Sequence, residues 1–164
     1  MEKVFSLIVD NTSGVLSRIS GLFSRRGYNI ESITAGVTAD PRFTRITIVT
    51  SGDDDILEQI EKQVNKLVDV RHIKVLEPEH SVYRELMLVK VKALPKDRPG
   101  VLAIADIFRA DIIDVDVDSV IIELTGPKPK IESLLKLLSE FEILEVARTG
   151  VAGLARGTAG VVYL

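Results

Sequence analysis

The chain of 164 residues has no cysteine and no tryptophan, and only two histidines and two methionines. Without cysteine there is no disulfide framework and no thiolate metal site; this fits a reducing compartment, and the expected location is the cytoplasm. An excess of positive charge is also missing. The 21 Lys plus Arg face 24 Asp plus Glu, a formal net charge of −3, which gives no broad field to attract nucleic acid or anionic lipid. No apolar run approaches the roughly 18 to 20 residues needed to cross a bilayer. The first such run, Val4 to Val9, is interrupted by Ser6 and is too short for a secretory signal. What is present is a hydrophobic content of 46%, ample for packed cores in one ordinary domain or two small ones.

Periodicity places the elements. Lys3 to Val9 alternates as a strand, and after Gly14 the residues Val15, Ile19, Leu22 and Phe23 form one helical stripe that Gly27 stops. Asn29 to Val37 and Phe43 to Thr50 are β-prone runs joined through Asp40-Pro41, which predicts a hairpin. Ser51 or Asp53 can cap a second helix whose apolar stripe is Ile56, Ile60, Val64 and Leu67, and Val70 to Leu76 supplies a last strand. The order β-α-β-β-α-β is that of a ferredoxin-like layer.

A polar break at Glu77-Pro78-Glu79-His80-Ser81 separates this unit from a second run of the same order. That run has a strand over 84 to 94, a helix over about 99 to 110, two strands within 112 to 124, a helix over about 128 to 141 and a strand over 143 to 147. The expected fold class is α+β with two consecutive ferredoxin-like βαββαβ units, residues 1–77 and 82–164. Units of about 80 residues bury only about 60% of their unfolded surface, so a homodimer is expected to cover what remains.

The loop Asp10-Asn11-Thr12-Ser13-Gly14 joins strand to helix. Free amides at the helix start suit a carboxylate, the Asn11 oxygen and nearby carbonyls suit an ammonium group, and Val15, Leu16 or Ile30 can line an apolar recess. The same residues also fit a helix cap with Gly14 relieving backbone strain. Asn29 either reaches a ligand across a dimer interface or closes the turn after Gly27. Asp114, Asp116 and Asp118 alternate with valines as three carboxylates on one strand face, either a hard-cation site or a solvated edge. His72 and His80 lack metal-ligand spacing and read as structural. No nucleophile, base and oxyanion constellation is present. The remaining catalytic alternative, a small acylphosphatase-like enzyme, lacks the phosphate-cradling arginine in its first loop.

The stretches DNTSGVLSRISGLFSRRGYNIESITA, LEQIEKQVNKLVDV, RELMLVKV, IFRADIIDV and EVARTGVAGLARG cover most of the chain and resemble the regulatory, or small, subunits of acetohydroxyacid synthase (acetolactate synthase). The resemblance implies that the first unit is an amino-acid-sensing ACT domain and that the chain is no enzyme and carries no cofactor. It would instead activate a separate catalytic subunit holding thiamine diphosphate, Mg and FAD, and confer feedback inhibition by valine or a related branched-chain amino acid. Asn11, Gly14, Val15 and Leu16 then match ligand contacts from one protomer, and Asn29 and Ile30 those from its partner. A stand-alone amino-acid-responsive ACT protein is the alternative. In the second unit Asp97-Arg98-Pro99-Gly100-Val101-Leu102 repeats the loop with Asp97 in place of Asn11, but Val115 stands where Asn29 would be. This is either a residual second site or a loop kept for its turn. The tail from Gly157 to Leu164 is expected to dock, to pair with a strand or to be disordered.

Overall fold

The computed structural model describes residues 1–158. They form two compact units, one of Met1–Tyr83 joined by the segment that begins at Gly150, the other Arg84–Thr149. The last segment is therefore discontinuous with the unit it packs in, whereas the sequence suggests a single division near residues 77 to 82. The tail expectation for residues 159–164 lies outside the described residues.

In the first unit the elements are β1 (Glu2–Asp10), α1 (Val15–Arg26), β2 (Asn29–Val37), β3 (Phe43–Ser51), α2 (Asp54–Asn65) and β4 (Val70–Leu76). The sheet order is β2-β3-β1-β4 and all its pairs are antiparallel, so β2 and β4 are the edges. Alternation puts Phe5, Leu7, Val9, Ile46 and Ile48 on the face covered by the helices. They meet Val15, Ile19, Leu22 and Phe23 from α1 and Leu57, Ile60 and Val64 from α2. Gly27 ends α1 at φ 66, with its N–H on the Phe23 and Ser24 carbonyls, as a left-handed stop requires. Asp53 caps α2, its carboxylate accepting from the Ile56 N–H at 2.9 Å. The stripe of α2 differs from expectation at two positions: Leu57 is fully buried while Ile56 is 36% exposed, and Leu67 packs on the core from beyond the helix end at Asn65. With the helix starting at Asp54, the spacing Leu57, Ile60, Val64 points at the sheet and Ile56 falls one residue to the side.

The second unit repeats the plan with β5 (Ser81–Lys92), α3 (Arg98–Ile107), β6 (Asp111–Val115), β7 (Ser119–Gly126), α4 (Lys128–Leu138) and β8 (Ile143–Arg148). Its order is β6-β7-β5-β8. Met87, Val89, Val91, Val120, Ile122 and Leu124 pack against Val101, Ala105, Ile131, Leu134 and Leu138. A further strand, β9 (Ala152–Ala155), pairs with β5. Nothing in the periodicity marks it.

The three alternating aspartates do not share a strand face. Asp114 is on β6 and Asp116 and Asp118 lie in the turn to β7, where Asp116 accepts from the Val117 N–H at 2.7 Å. No group of three metal-ligating side chains gathers among the described residues. No described helix is long and apolar enough to cross a membrane.

Candidate functional site

Three loops meet at one end of the first sheet. The Asn11 N–H donates to the Arg42 carbonyl at 2.8 Å. Its Nδ2 donates to the Pro41 carbonyl at 2.9 Å, and its Oδ1 accepts from the Thr44 hydroxyl at 3.2 Å. The Asn11 oxygen keeps a second acceptor direction. The β2–β3 turn it grips is itself pinned: Arg42 donates from its guanidinium and its backbone N–H to Asp40, and those bonds pull the Asp40 carboxyl down to about 2. Asp10 takes a two-bond contact from Arg71 at 2.7 and 2.8 Å. Arg18, on the first turn of α1, donates to Asp69 at 2.6 Å.

Gly14 is the start of α1, at φ 84 and ψ −5, and no side chain caps the helix. The reading of Asn11, Thr12 or Ser13 as a cap is therefore not what this loop does: Asn11 turns instead to the β2–β3 turn. The opening amides of α1 keep their partial positive charge, and beside them stands the Arg18 guanidinium, paired with Asp69. A Cβ at Gly14 would lie 3.0 Å from Arg18 Nη1. Arg18 carries no motif, and only its place four residues after Gly14 could have flagged it. Of the apolar candidates, Leu16 is 47% exposed and available, while the Val15 side chain is 4% exposed and used in the core. Val15 can offer its N–H alone.

Asn29 and Ile30 are elsewhere. Asn29 is opposite Ser51 on β3, and Ser51 is opposite Glu2 at the far end of β1 from Asn11. The interval from Glu2 to Asp10 is eight residue steps, about 26 Å at about 3.3 Å each. One chain cannot bring the two groups together. At its end, Asn29 donates through Nδ2 to Glu31 and to Ser51 Oγ at 3.1 Å, and Ser51 donates to the same Glu31 oxygen at 2.7 Å. The Asn29 Oδ1 is left as an acceptor beside the Glu31 carboxylate. Glu31 is a second residue that sequence reading missed, since an exposed acid on an edge strand reads as solubility. Ile30 is half-buried against the core.

The second loop differs in physics although it repeats the letters. In α3 the Asp97 and Arg98 amides bond to the Leu94 carbonyl and the Gly100 and Val101 amides to that of Asp97, so its opening donors are engaged. Arg98 lays its Nη2 on the Asp116 and Val117 carbonyls at 2.9 and 2.8 Å. Gly100 lies inside the helix with Phe141 Cζ 3.1 Å from where a Cβ would stand. It is small for packing, not for left-handed backbone.

Two βαββαβ units, the first with an uncapped helix start and an exposed edge strand, define the class: a protein built of ACT-type units. Residues 5–72 match the AHAS small subunit-like ACT domain and residues 84–157 match the small subunit of acetolactate synthase. The chain is 48% identical over 158 residues to the acetolactate synthase isozyme 3 small subunit of Salmonella typhimurium, covering 96% of this chain and 97% of that one. It is 46% identical over 156 residues to a probable acetolactate synthase small subunit of Methanothermobacter thermautotrophicus, covering 94% and 93%. The crystal structure of the small subunit from Thermotoga maritima superposes with a TM-score of 0.89 at 40% identity, covering 97% of this chain and 99% of that one. The chain belongs to the family of acetolactate synthase small subunits, the regulatory partners of a catalytic subunit.

Proposed function

We propose that this protein activates the catalytic subunit of acetohydroxyacid synthase and makes it subject to feedback inhibition by valine or a close branched-chain relative. One observation carries the reading. The first sheet bears two half-sites of opposite polarity at opposite ends: free helix amides with Arg18 for a carboxylate, and Asn29 Oδ1 with Glu31 for an ammonium group. A zwitterion needs both, and two chains provide both. Antiparallel apposition of two β2 edges sets the Asn29 end of one chain near the Asn11 end of the other. The β2 edge suits such pairing, since Glu31 is its only charge and Ile33 and Val37 are 36% and 59% exposed. Leu16 and Ile30 would then enclose the aliphatic side chain, where one methylene discriminates by only about 1 to 3 kcal/mol.

Regulation is linkage. Valine shifts the catalytic subunit toward its slow state by the difference in its affinity for the two states, typically about 1 to 3 kcal/mol. The chemistry, with thiamine diphosphate, Mg and FAD, belongs to the catalytic subunit. The test is to assay the cognate catalytic subunit with and without this protein while titrating valine. Added protein should raise the rate, and valine should lower it only in the mixture. A rate unchanged on mixing would overturn the proposal, and turnover by this chain alone would point to the phosphatase alternative.

A further inference from the structure

We infer that the segment Thr149 to Ala155 is a strap that relays the state of β2 to the second unit, and so converts ligand binding into a response. This rests on the reading of β2 as half of the ligand site. The strap crosses the helix-free face of the first sheet. It begins over β2, where a Cβ on Gly150 would lie 2.5 Å from Thr34 Oγ1 and 3.1 Å from the Ile33 carbonyl oxygen. It continues over β1 and β3, where Val151 packs with Val4 and Val49, and ends over β4, where a Cβ on Gly153 would meet Leu76 Cδ1 at 2.9 Å. The approach at Gly150 is to backbone as well as to a side chain, so a Cβ there is costly, whereas at Gly153 the end of the Leu76 side chain would have to shift. The Thr34 hydroxyl beneath the strap is buried without a hydrogen-bond partner, so the segment covers β2 tightly enough to keep water out.

The residue before Gly150 is fastened in the second unit. The Thr149 N–H donates to the Leu86 carbonyl at 2.9 Å and Thr149 Oγ1 accepts from the Leu86 N–H at 2.9 Å. Adjacent residues thus hold β5 of the second unit and press on β2 of the first. β2 is an edge strand with a ladder on one side only, and a strand held that way responds most readily to what lies on its faces. Ligand bound at Asn29 and Ile30 acts on β2 four residues before Thr34.

Gly150→Ala tests this, with Gly21→Ala on α1 as the control, since a Cβ at Gly21 meets only Arg25 Nη1, at an ordinary 3.4 Å. Valine binding to the free subunit is measured by calorimetry, and maximal inhibition in the mixture with the catalytic subunit is read at saturating valine. Gly150→Ala should keep binding within about threefold and keep activation, yet lose more than about half of the maximal inhibition. Gly21→Ala should match the wild type. Adding Thr34→Ala to Gly150→Ala removes the nearest clash and should restore part of the inhibition. If Gly150→Ala does not fold, Thr149→Val, which keeps the shape and removes the acceptor for Leu86, is read in the same way. Full inhibition in the strap variant overturns the relay, as does a loss of inhibition accounted for by lost binding. Wild-type subunit that binds no valine overturns the site reading itself, and the relay with it.

Discussion

In the proposed site Gly14 and Arg18 take the ligand's negative charge, and that polarity can be inverted with one side chain. In Gly14→Asp a carboxylate would stand at the mouth of the α1 amides, within reach of Arg18, and occupy what a ligand carboxylate needs. Repulsion between the two charges is worth about 1 to 4 kcal/mol at contact, depending on solvent access. Valine inhibition of the mixture should weaken by about tenfold or more, while activation of the catalytic subunit survives. Wild-type sensitivity in this variant would show that the carboxylate site is elsewhere. Asn11→Ala belongs to the same experiment. It removes an acceptor for the ammonium group and also frees the Pro41 and Thr44 partners, so its effect should include a loss of stability of about 1 kcal/mol from those lost bonds, whereas any stability cost of Gly14→Asp comes from its left-handed backbone at φ 84.

The elements are where the sequence was most legible. Strands read from β-prone runs, such as Asn29–Val37 and Val70–Leu76, occur where those runs predict them, because β-branched side chains suit a pleated, half-buried surface. Helix faces were less well specified. Ile56 and Leu57 are adjacent, equally apolar, and separable only once the helix start is fixed by Asp53. Alanine at each should distinguish them in a chemical denaturation series: Leu57→Ala should cost about 2 to 5 kcal/mol through a cavity, and Ile56→Ala at most about 1. Equal losses would contradict the packing of α2. Strand β9 had no signal, since Ala-Gly-Leu-Ala is short and lacks β-branched residues. Its pairing is decided by tertiary contact. The candidate site was half legible for a related reason. Gly14 and Asn11 advertise a loop, whereas Arg18 and Glu31 acquire meaning only from where the sheet register places them.

At the scale of the molecule, the proposed division of the site between two chains would make assembly and ligand binding a single equilibrium. Valine at about a hundredfold over its dissociation constant should stabilise the protein by about 2.7 kcal/mol, a rise in melting temperature of about 5 to 11 °C for a chain of this size. The midpoint should also rise with protein concentration. Isovalerate keeps the carboxylate and the branched chain but has no ammonium group, and should produce little shift. Equal shifts from the two compounds would remove Asn29 and Glu31 from the site.

The packing of Val151 against Val4, Val49 and Leu76 bears on how the protein is made. A ribosome delivers the whole of the first βαββαβ unit long before it delivers the strap, so that unit waits with one sheet face open to water. Its apolar cluster closes only when nearly the entire second unit has been synthesised, a contact almost as long in sequence as the chain allows and correspondingly slow to form. The first sheet is thus covered on this face only after the strap has been made: a chain released before Gly150 leaves Val4, Val49 and Leu76 without Val151 against them.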